Sequence, residues 1–105
     1  MENGALVMRI HRIRTEVVVA ACDAELIGRD LPVGEGGRTV RVTEQFYGDR
    51  RVGKEELLLA LRRATTANLL GERVLRIAHE AGLIDPGSTG TLGGIPHAEI
   101  FSMFS

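Results

Sequence analysis

One short segment, residues 17–22 (VVVAAC), constrains the fold of this chain more than any other. Each of its side chains is apolar, and it begins with valines, whose β-branched side chains favour strands. A strand with one face in water alternates apolar and polar residues, whereas a strand buried on both faces does not. The segment is therefore predicted to be a central strand of a sheet.

Three further segments are predicted to be strands. The first precedes the central strand and has one apolar face, formed by Leu6, Met8 and Ile10. Its pattern slips at Ile13, so we predict a β-bulge near residues 11–12 and then a hairpin into the central strand. The others are residues 38–43 (RTVRVT) and the AEIFSMF segment that closes the chain.

Helical periodicity predicts two main helices in the second half of the chain. The first follows Gly53 and has a buried stripe of Leu57, Leu58, Leu61 and Ala64. In the second, apolar residues recur at spacings of three and four: Ala67, Leu70, Val74, Ile77, Ala78 and Ala81. Gly82 is predicted to end it. Shorter helical turns are predicted after Asp23, and from Thr43 to Gly48.

This order of elements predicts an α+β fold, with an antiparallel or mixed sheet of about four strands and two main helices packed on one face. The length of 105 residues predicts a single domain, residues 1–105. A hydrophobic fraction of 44% is enough for a real core.

Composition also indicates the setting of the protein. Cys22 is the only cysteine, no apolar run reaches the roughly 20 residues that span a bilayer, and the N-terminus lacks the layout of a signal peptide. We therefore expect a cytoplasmic protein without membrane contact. Amides are limited to Asn3, Gln45 and Asn68, and such scarcity of thermolabile residues favours a thermophilic source.

A glycine-rich stretch, residues 87–97 (GSTGTLGGIPH), is the first candidate site. It matches no phosphate-binding motif. The backbone N–H groups near Gly93 and Gly94 could nevertheless form a nest for an anion, with His97 as an added proton donor. The alternative is a connection whose glycines supply positive φ angles and whose Pro96 fixes the start of the last strand.

Polar residues elsewhere extend this candidate ligand site. Cys22 and Asp23 stand where a central strand ends and a helical turn begins, where a thiol can be activated; the alternative is a buried Cys22 followed by a helix cap. Asn68 is predicted to lie on a helix and to contact the glycine-rich stretch or the turn at Tyr47. The ligand-binding candidates are Cys22, Asp23, Tyr47, Thr65, Asn68, Gly93, Gly94 and His97. Histidine and cysteine spacing predicts no metal, and no cofactor is expected.

Basic residues on predicted strands suggest a second kind of site. Arg9, His11 and Arg14 on the first strand and Arg41 on the third would form one basic sheet face if these strands are neighbours. Such a face could bind the phosphates of RNA or of a ribonucleoprotein. A net charge of −1 favours the alternative, a solvated face with weak ion pairs.

The end of the chain, residues 100–104 (IFSMF), suggests a self-association surface. Ile100 and Phe104 would lie on one side of this strand, and Phe101 and Met103 on the other. A strand that is apolar on both sides and lacks charged edge residues either lies inside the sheet or pairs with a second subunit. A homodimer through this strand is therefore predicted.

Five segments, in this order, resemble a small archaeal family described as a domain of unknown function, number 424: CDAELIG, EQFYG, ATTANLLGE, AGLI and GGIPHAEI. The resemblance spans about residues 8–100 and implies an α+β protein of the archaeal cytoplasm, with no assigned activity. It places the family's characteristic segments at residues 22–23, 46–47, 65–71 and 93–97, which makes their polar positions the best site candidates. Glu99 stands where the family has an amide, so a role that needs an uncharged side chain there is in doubt.

Three functions follow from these observations. The first is a binding module for RNA or a ribonucleoprotein, which the arginine-rich strands favour. The second is a protein or enzyme that binds a small molecule or phosphate at the glycine-rich stretch and His97. The third is a structural or assembly subunit that uses the last strand. The sequence leaves open whether the protein catalyses a reaction.

Overall fold

The structure is a computed structural model that describes residues 5–101. Its helices are α1 (Glu44–Tyr47), α2 (Lys54–Arg63) and α3 (Glu72–Glu80). Its strands are β1 (Leu6–Ile13), β2 (Glu16–Asp23), β3 (Asp30–Pro32), β4 (Thr39–Arg41), β5 (Arg51–Val52), β6 (Thr66–Leu70), β7 (Gly90–Leu92) and β8 (Ile95–Phe101).

Six of the strands form one mixed sheet in the order β5-β1-β2-β6-β8-β7, and β3 and β4 form a separate hairpin. Only the β2–β6 pair of the main sheet is parallel. The predicted α+β class is therefore confirmed, but the strand count of about four is too low. The strands that were missed are short or, in the case of β6, were predicted to be helical.

Strand β2 lies at the centre of the sheet, between β1 and β6. Its residues Val19, Ala20, Ala21 and Cys22 are all 0% exposed, which confirms the prediction from VVVAAC. Alternate residues of β2 enter two different cores, because successive side chains of a strand point to opposite faces. Val19 and Ala21 belong to one core, and Ala20 and Cys22 to the other.

Each face of the sheet has its own covering layer. The first face packs against α2 and α3, whose main contributions are Leu57, Leu61, Val74, Leu75 and Ala78. The second face is covered by the β3–β4 hairpin, α1 and the turn after β2, which contribute Leu31, Val42, Tyr47 and Leu26. Burial of each large apolar side chain is worth roughly 1.5–3 kcal/mol, so both layers are needed for stability. No helix of the described chain is long and apolar enough to cross a membrane.

The segment around Asn68 differs most from its prediction. The predicted helix from Ala67 to Ala81 is wrong over its first part, because residues 66–70 form strand β6 and α3 begins at Glu72. Gly71 separates the two elements with a φ of 122°, which no helix contains. Ala67 and Leu69 enter the first core, whereas Leu70 enters the second, so the burial period is two.

The β1–β2 hairpin also differs in one respect. The bulge predicted near residues 11–12 is absent, since the pairing runs without interruption from Leu6 opposite Asp23 to Ile13 opposite Glu16. The tight turn is made by Arg14, which has a φ of 57°. Ile13 is consequently not turned inward and remains 59% exposed.

Several predicted ends and turns are confirmed. The Thr43 hydroxyl accepts the backbone N–H of Phe46 at the start of α1, and Gly48 ends this helix with a φ of 86°. After α3, Gly82 takes a φ of 74°. The glycine-rich stretch is largely a hairpin, in which Gly93 and Gly94 connect β7 to β8 with φ angles of 58° and 82°. Two consecutive positive φ angles are typical of a type I′ turn.

Candidate functional site

The parallel strands β2 and β6 end side by side, and the chain leaves them in opposite directions. After β2 it turns towards the second face through a short 3-10 helix, Ala24–Leu26. After β6 it continues as α3 on the first face. In open sheets, ligands bind in the crevice that such diverging exits create beyond the carboxyl ends of the strands.

A cleft of about 460 Å³ occupies this position. The exit from β2 contributes Asp23, Glu25, Leu26 and Arg29. The exit from β6 contributes Gly71, Glu72, Arg73 and Arg76, and the end of the β7–β8 hairpin contributes Gly94, Ile95 and Pro96. The structure therefore brings together Asp23 and Gly94, two of the predicted ligand-binding residues, at one cleft.

Asp23 caps helix α3 from a distant part of the chain. Its carboxylate accepts the backbone N–H groups of Arg73, at 3.1 Å, and Val74, at 3.0 Å. The side chain is buried, and this burial raises the pKa of Asp23 above its usual value, although the two N–H groups act in the opposite direction. Asp23 thus lies at the cleft with both carboxylate oxygens engaged in the fold.

Gly71 is required by this cap. A Cβ atom at position 71 would lie 2.5 Å from the Cγ atom of Asp23, and the φ of 122° is open only to glycine without strain. The close approach lets the carboxylate reach the first turn of α3. Gly93 has a similar packing role, because a Cβ there would lie 2.9 Å from the Cβ of Leu31.

Cys22 cannot serve as a ligand-binding residue in this structure. The residue is 0% exposed and belongs to the second core. Burial raises the pKa of the thiol to about 12, and the charges of Asp23 and Glu25 act in the same direction. A thiol that is protonated and inaccessible to solvent can neither act as a nucleophile nor touch a ligand.

Tyr47, Asn68 and His97 form a polar cluster at the margin of the second core. The Tyr47 hydroxyl donates to Asn68 Oδ1 at 2.9 Å, and His97 Nε2 lies 3.3 Å from the same oxygen. Burial raises the pKa of Tyr47 and keeps its hydroxyl protonated as a donor. Three predicted residues from α1, β6 and β8 are thereby brought together, with Glu99 directly opposite Asn68 in the strand register.

Thr65 lies at the opposite end of β6 from the cleft. Its hydroxyl accepts the backbone N–H of Val17 at 2.9 Å and donates to Glu16 Oε1 at 2.9 Å. The backbone N–H of Thr65 donates to Val17 O at 2.8 Å. These bonds fasten the start of β6 to the start of β2, so Thr65 does not join the other ligand-binding candidates.

The four predicted basic residues do not form one sheet face. Arg41 lies on the separate β3–β4 sheet, where its guanidinium makes two hydrogen bonds to Asp30, at 2.8 and 2.9 Å. His11 contacts Phe46 instead: Nε2 lies 2.8 Å from the Phe46 carbonyl oxygen, and the rings are stacked 5.4 Å apart. Arg9 and Arg14 are exposed on β1 and in the following turn.

Arg12, Arg62 and Arg63 were not singled out from the sequence, and the tertiary structure brings them to one end of the molecule. Arg62 and Arg63 end α2, and the bonds of Thr65 to Val17 hold this helix end beside the β1–β2 hairpin. A surface depression of about 450 Å³ is lined there by Glu16, Arg62, Arg63, Ala64, Thr65, Thr66 and Phe101. Arg63 also borders a second depression with Arg12 and Val17. The only sequence signal was the Arg-Arg pair at the end of an amphipathic helix.

Within residues 5–101, no three histidine, cysteine, aspartate or glutamate side chains are arranged to hold a metal ion. The described groups that could contact a ligand are guanidiniums, hydroxyls, an amide, imidazoles and carboxylates. The guanidiniums are suited to binding anionic ligands, and the other groups to forming hydrogen bonds with polar ligands.

These features define a small mixed α+β domain with a cleft at the carboxyl ends of two parallel strands and a polar cluster on one sheet face. The chain belongs to the family described as "Protein of unknown function (DUF424)", whose model matches residues 11–103. It is similar to a solved structure described as the crystal structure of an uncharacterized conserved protein from Methanopyrus kandleri. The two chains are 28% identical, the match covers 95% of each, and the TM-score is 0.73. No curated protein matches this chain.

Proposed function

We propose that the protein is a binding module for single-stranded RNA. The binding surface is the basic end of the molecule, defined as Arg12, Arg14, Arg62 and Arg63. The observation that carries the proposal is the depression in which Arg62 and Arg63 lie beside the exposed ring of Phe101. Guanidiniums bind phosphates, and an aromatic ring provides a platform on which a base can stack.

The four arginines come from two elements that are distant in sequence. Arg12 and Arg14 belong to the β1–β2 hairpin, and Arg62 and Arg63 to the end of α2. All four are exposed, and none forms an ion pair with another described residue. Their charges are therefore available to a polyanion.

The acidic residues of this surface are already engaged. Glu16 accepts the hydroxyl hydrogen of Thr65, and Glu56 pairs with Arg50. Glu16 keeps its negative charge, so the four arginines leave the basic end with a local excess of positive charge on a molecule whose net charge is −1. Such a surface attracts phosphates at short range, so the affinity should depend strongly on salt.

Phe101 favours a single-stranded ligand over a duplex. Its side chain is 64% exposed on β8, and Ile13 on β1 is 59% exposed. Bases of single-stranded RNA are free to stack on the Phe101 ring, whereas those of a duplex are stacked on each other. Ile13 offers only apolar contact.

The test is fluorescence anisotropy with a labelled single-stranded RNA over a range of salt concentrations. Each lost phosphate contact lowers the slope of log K against log salt by about 0.7, so Arg62→Gln with Arg63→Gln should lower it by about 1.4. Phe101→Leu should weaken binding without changing the slope, because it removes stacking and no charge.

The matched control is Arg38→Gln with Lys54→Gln, which removes two exposed positive charges outside the basic end and outside the cleft beyond β2 and β6. This variant should bind RNA as the parent protein does. An equal loss of affinity in the control, or no binding by the parent protein at low salt, would exclude the basic end as an RNA site.

We further propose that the protein acts in the cytoplasm of a thermophilic archaeon. Its similarity to a protein from Methanopyrus kandleri and its few amide side chains support this setting.

A homodimer through the last strand also remains a proposal. Within the described chain, β7 pairs with β8 only as far as His97, so the outer edge of residues 98–101 has no neighbouring strand. The predicted residues 102–104 lie outside the described residues. Sedimentation should show a dimer at micromolar concentration, and a monomer would contradict pairing through this edge.

A further inference from the structure

We propose that the cleft beyond β2 and β6 binds the phosphate group of a small phosphomonoester. The cleft and the basic end lie at opposite ends of β2, about 20 Å apart at the rise of a strand. The two proposals therefore concern different residues and can fail separately.

Two guanidiniums that come from different elements line the cleft and are available to an anion. Arg29 follows the turn after β2, and Arg76 lies on α3. Both side chains are exposed, and neither forms an ion pair with another residue of the described chain. A phosphate between them would accept charge-assisted hydrogen bonds from both side chains.

The cleft also contains three carboxylates, those of Asp23, Glu25 and Glu72. Glu25 interacts electrostatically with Arg29 but forms its ion pair with Arg73, and Glu72 is exposed. Arg73 Nη1 lies 2.7 Å from Glu25 Oε2 and 3.8 Å from Asp23 Oδ2, so these two carboxylates pair with Arg73 and not with Arg76. The backbone N–H groups of Arg73 and Val74 are bonded to Asp23. The phosphate would consequently be held by the side chains of Arg29 and Arg76 and not by the end of α3.

The size and the wall of the cleft favour an organic phosphate over the free ion. A volume of about 460 Å³ lies within the usual range of small-molecule sites, roughly 300–1,000 Å³. Leu26, Ile95 and Pro96 provide apolar surface beside the arginines. An organic group attached to the phosphate would cover this surface, which a free phosphate ion would leave in water.

The experiment is a calorimetric titration of the whole chain, in buffer without phosphate, with phenyl phosphate and, separately, with inorganic phosphate. Phenyl phosphate should bind more tightly, and the amide NMR signals of Gly71 and Gly94 should shift. Equal affinity for the two probes would overturn the assignment to a phosphomonoester. No heat and no shift at about 10 mM of either probe would overturn the site itself.

Variants connect the binding to the two arginines. Arg29→Gln and Arg76→Gln should each raise the Kd for phenyl phosphate at least about tenfold, the usual effect of losing one charge-assisted hydrogen bond. Arg62→Gln with Arg63→Gln should leave this Kd unchanged, although it weakens RNA binding. If a glutamine variant fails to fold, Arg29→Lys retains the charge and should bind with an intermediate Kd. A Kd that is unchanged in both glutamine variants would overturn the proposal.

Discussion

The carboxylate of Asp23 accepts the backbone N–H of Val74, 51 residues further along the chain, at 3.0 Å. This bond joins the end of the central strand to the first turn of α3. It is possible only because Gly71 has no side chain between them. One buried carboxylate thus links the central strand to the helix at the cleft.

Gly71→Ala is expected to destabilise the protein more than the same substitution at a glycine that has free space for a Cβ atom. The new methyl group would meet the Asp23 carboxyl at 2.5 Å, in addition to the strain of the positive φ. The control is Gly28→Ala, since Gly28 has a φ of 89° and nothing within 4 Å of an added Cβ. Strain should cost about 1–3 kcal/mol in both variants, and overpacking should add about 1–3 kcal/mol in Gly71→Ala. Urea denaturation measures both, and equal losses would contradict the close approach.

Ionisation of Asp23 should make the protein less stable as the pH rises. Because the pKa of Asp23 is raised in the folded state, the folded protein binds more protons than the unfolded chain between the ordinary value of 3.8 and the raised value. The unfolding free energy contributed by this group is therefore fully present below pH 3.8 and is lost as the pH rises through the folded-state pKa.

Asp23→Asn isolates this contribution, because the variant has no carboxyl at that position. Its stability relative to the parent protein should increase across the same pH window and then become constant. Chemical denaturation at several pH values tests this expectation. Glu25, whose pKa is lowered by its own backbone N–H and by Arg73, contributes with the opposite sign in both proteins, so only its charge coupling with Asp23 enters the difference. A stability difference that does not vary with pH would contradict the raised pKa.

The hydrogen bond between Tyr47 and Asn68 should be measurable by a double-mutant cycle. Tyr47→Phe removes only the hydroxyl that donates to Asn68 Oδ1, and Asn68→Ala removes the acceptor. A coupling of about 0.5–1.5 kcal/mol in the unfolding free energy is expected. The corresponding cycle with His97→Ala should give a smaller coupling, since its contact to the same oxygen is longer, at 3.3 Å. Zero coupling for the Tyr47 pair would contradict the bond.

Cys22 should react with a thiol reagent only when the protein unfolds. The side chain is completely buried and the pKa of its thiol is raised to about 12, so the reactive thiolate is scarce and inaccessible at neutral pH. The rate of labelling by a disulfide reagent should match the rate of unfolding and should rise sharply in urea. Rapid labelling of the native protein would contradict the complete burial of Cys22.

The sequence predicted correctly those parts of the fold whose conformation depends on residues close together in the chain. The apolar run of β2, the cap of α1 by Thr43 and the glycine that ends α3 were all predictable for this reason. Each depends on a short-range property: the exclusion of water from consecutive side chains, a hydroxyl three residues from an N–H, or a φ angle open to glycine.

The candidate sites were only partly predictable. The family segments indicated Asp23, Tyr47, Asn68, Gly94 and His97. The structure places Asp23 and Gly94 at the cleft and joins Tyr47, Asn68 and His97 in the polar cluster. The contacts predicted for Asn68 are present, through the Tyr47 hydroxyl and His97 Nε2, and the apolar run of β2 predicted the burial of Cys22. The cap that Asp23 makes on α3 was not predictable, because its partner Arg73 lies 50 residues further along the chain. Arg29, Arg76, Arg62 and Arg63 were missed, because a charged residue on an exposed surface carries no local signal of the charges it will meet.

The sequence by itself determined that this chain forms an α+β domain around an apolar central strand. Only the tertiary structure decided that residues 66–70 are a strand, although their spacing also suited a helix. The apolar positions of a short segment are compatible with both periods, and pairing with β2 on one side and β8 on the other supplies the hydrogen bonds that select the strand. The same long-range pairing places the ends of β2 and β6 together, and so creates the cleft.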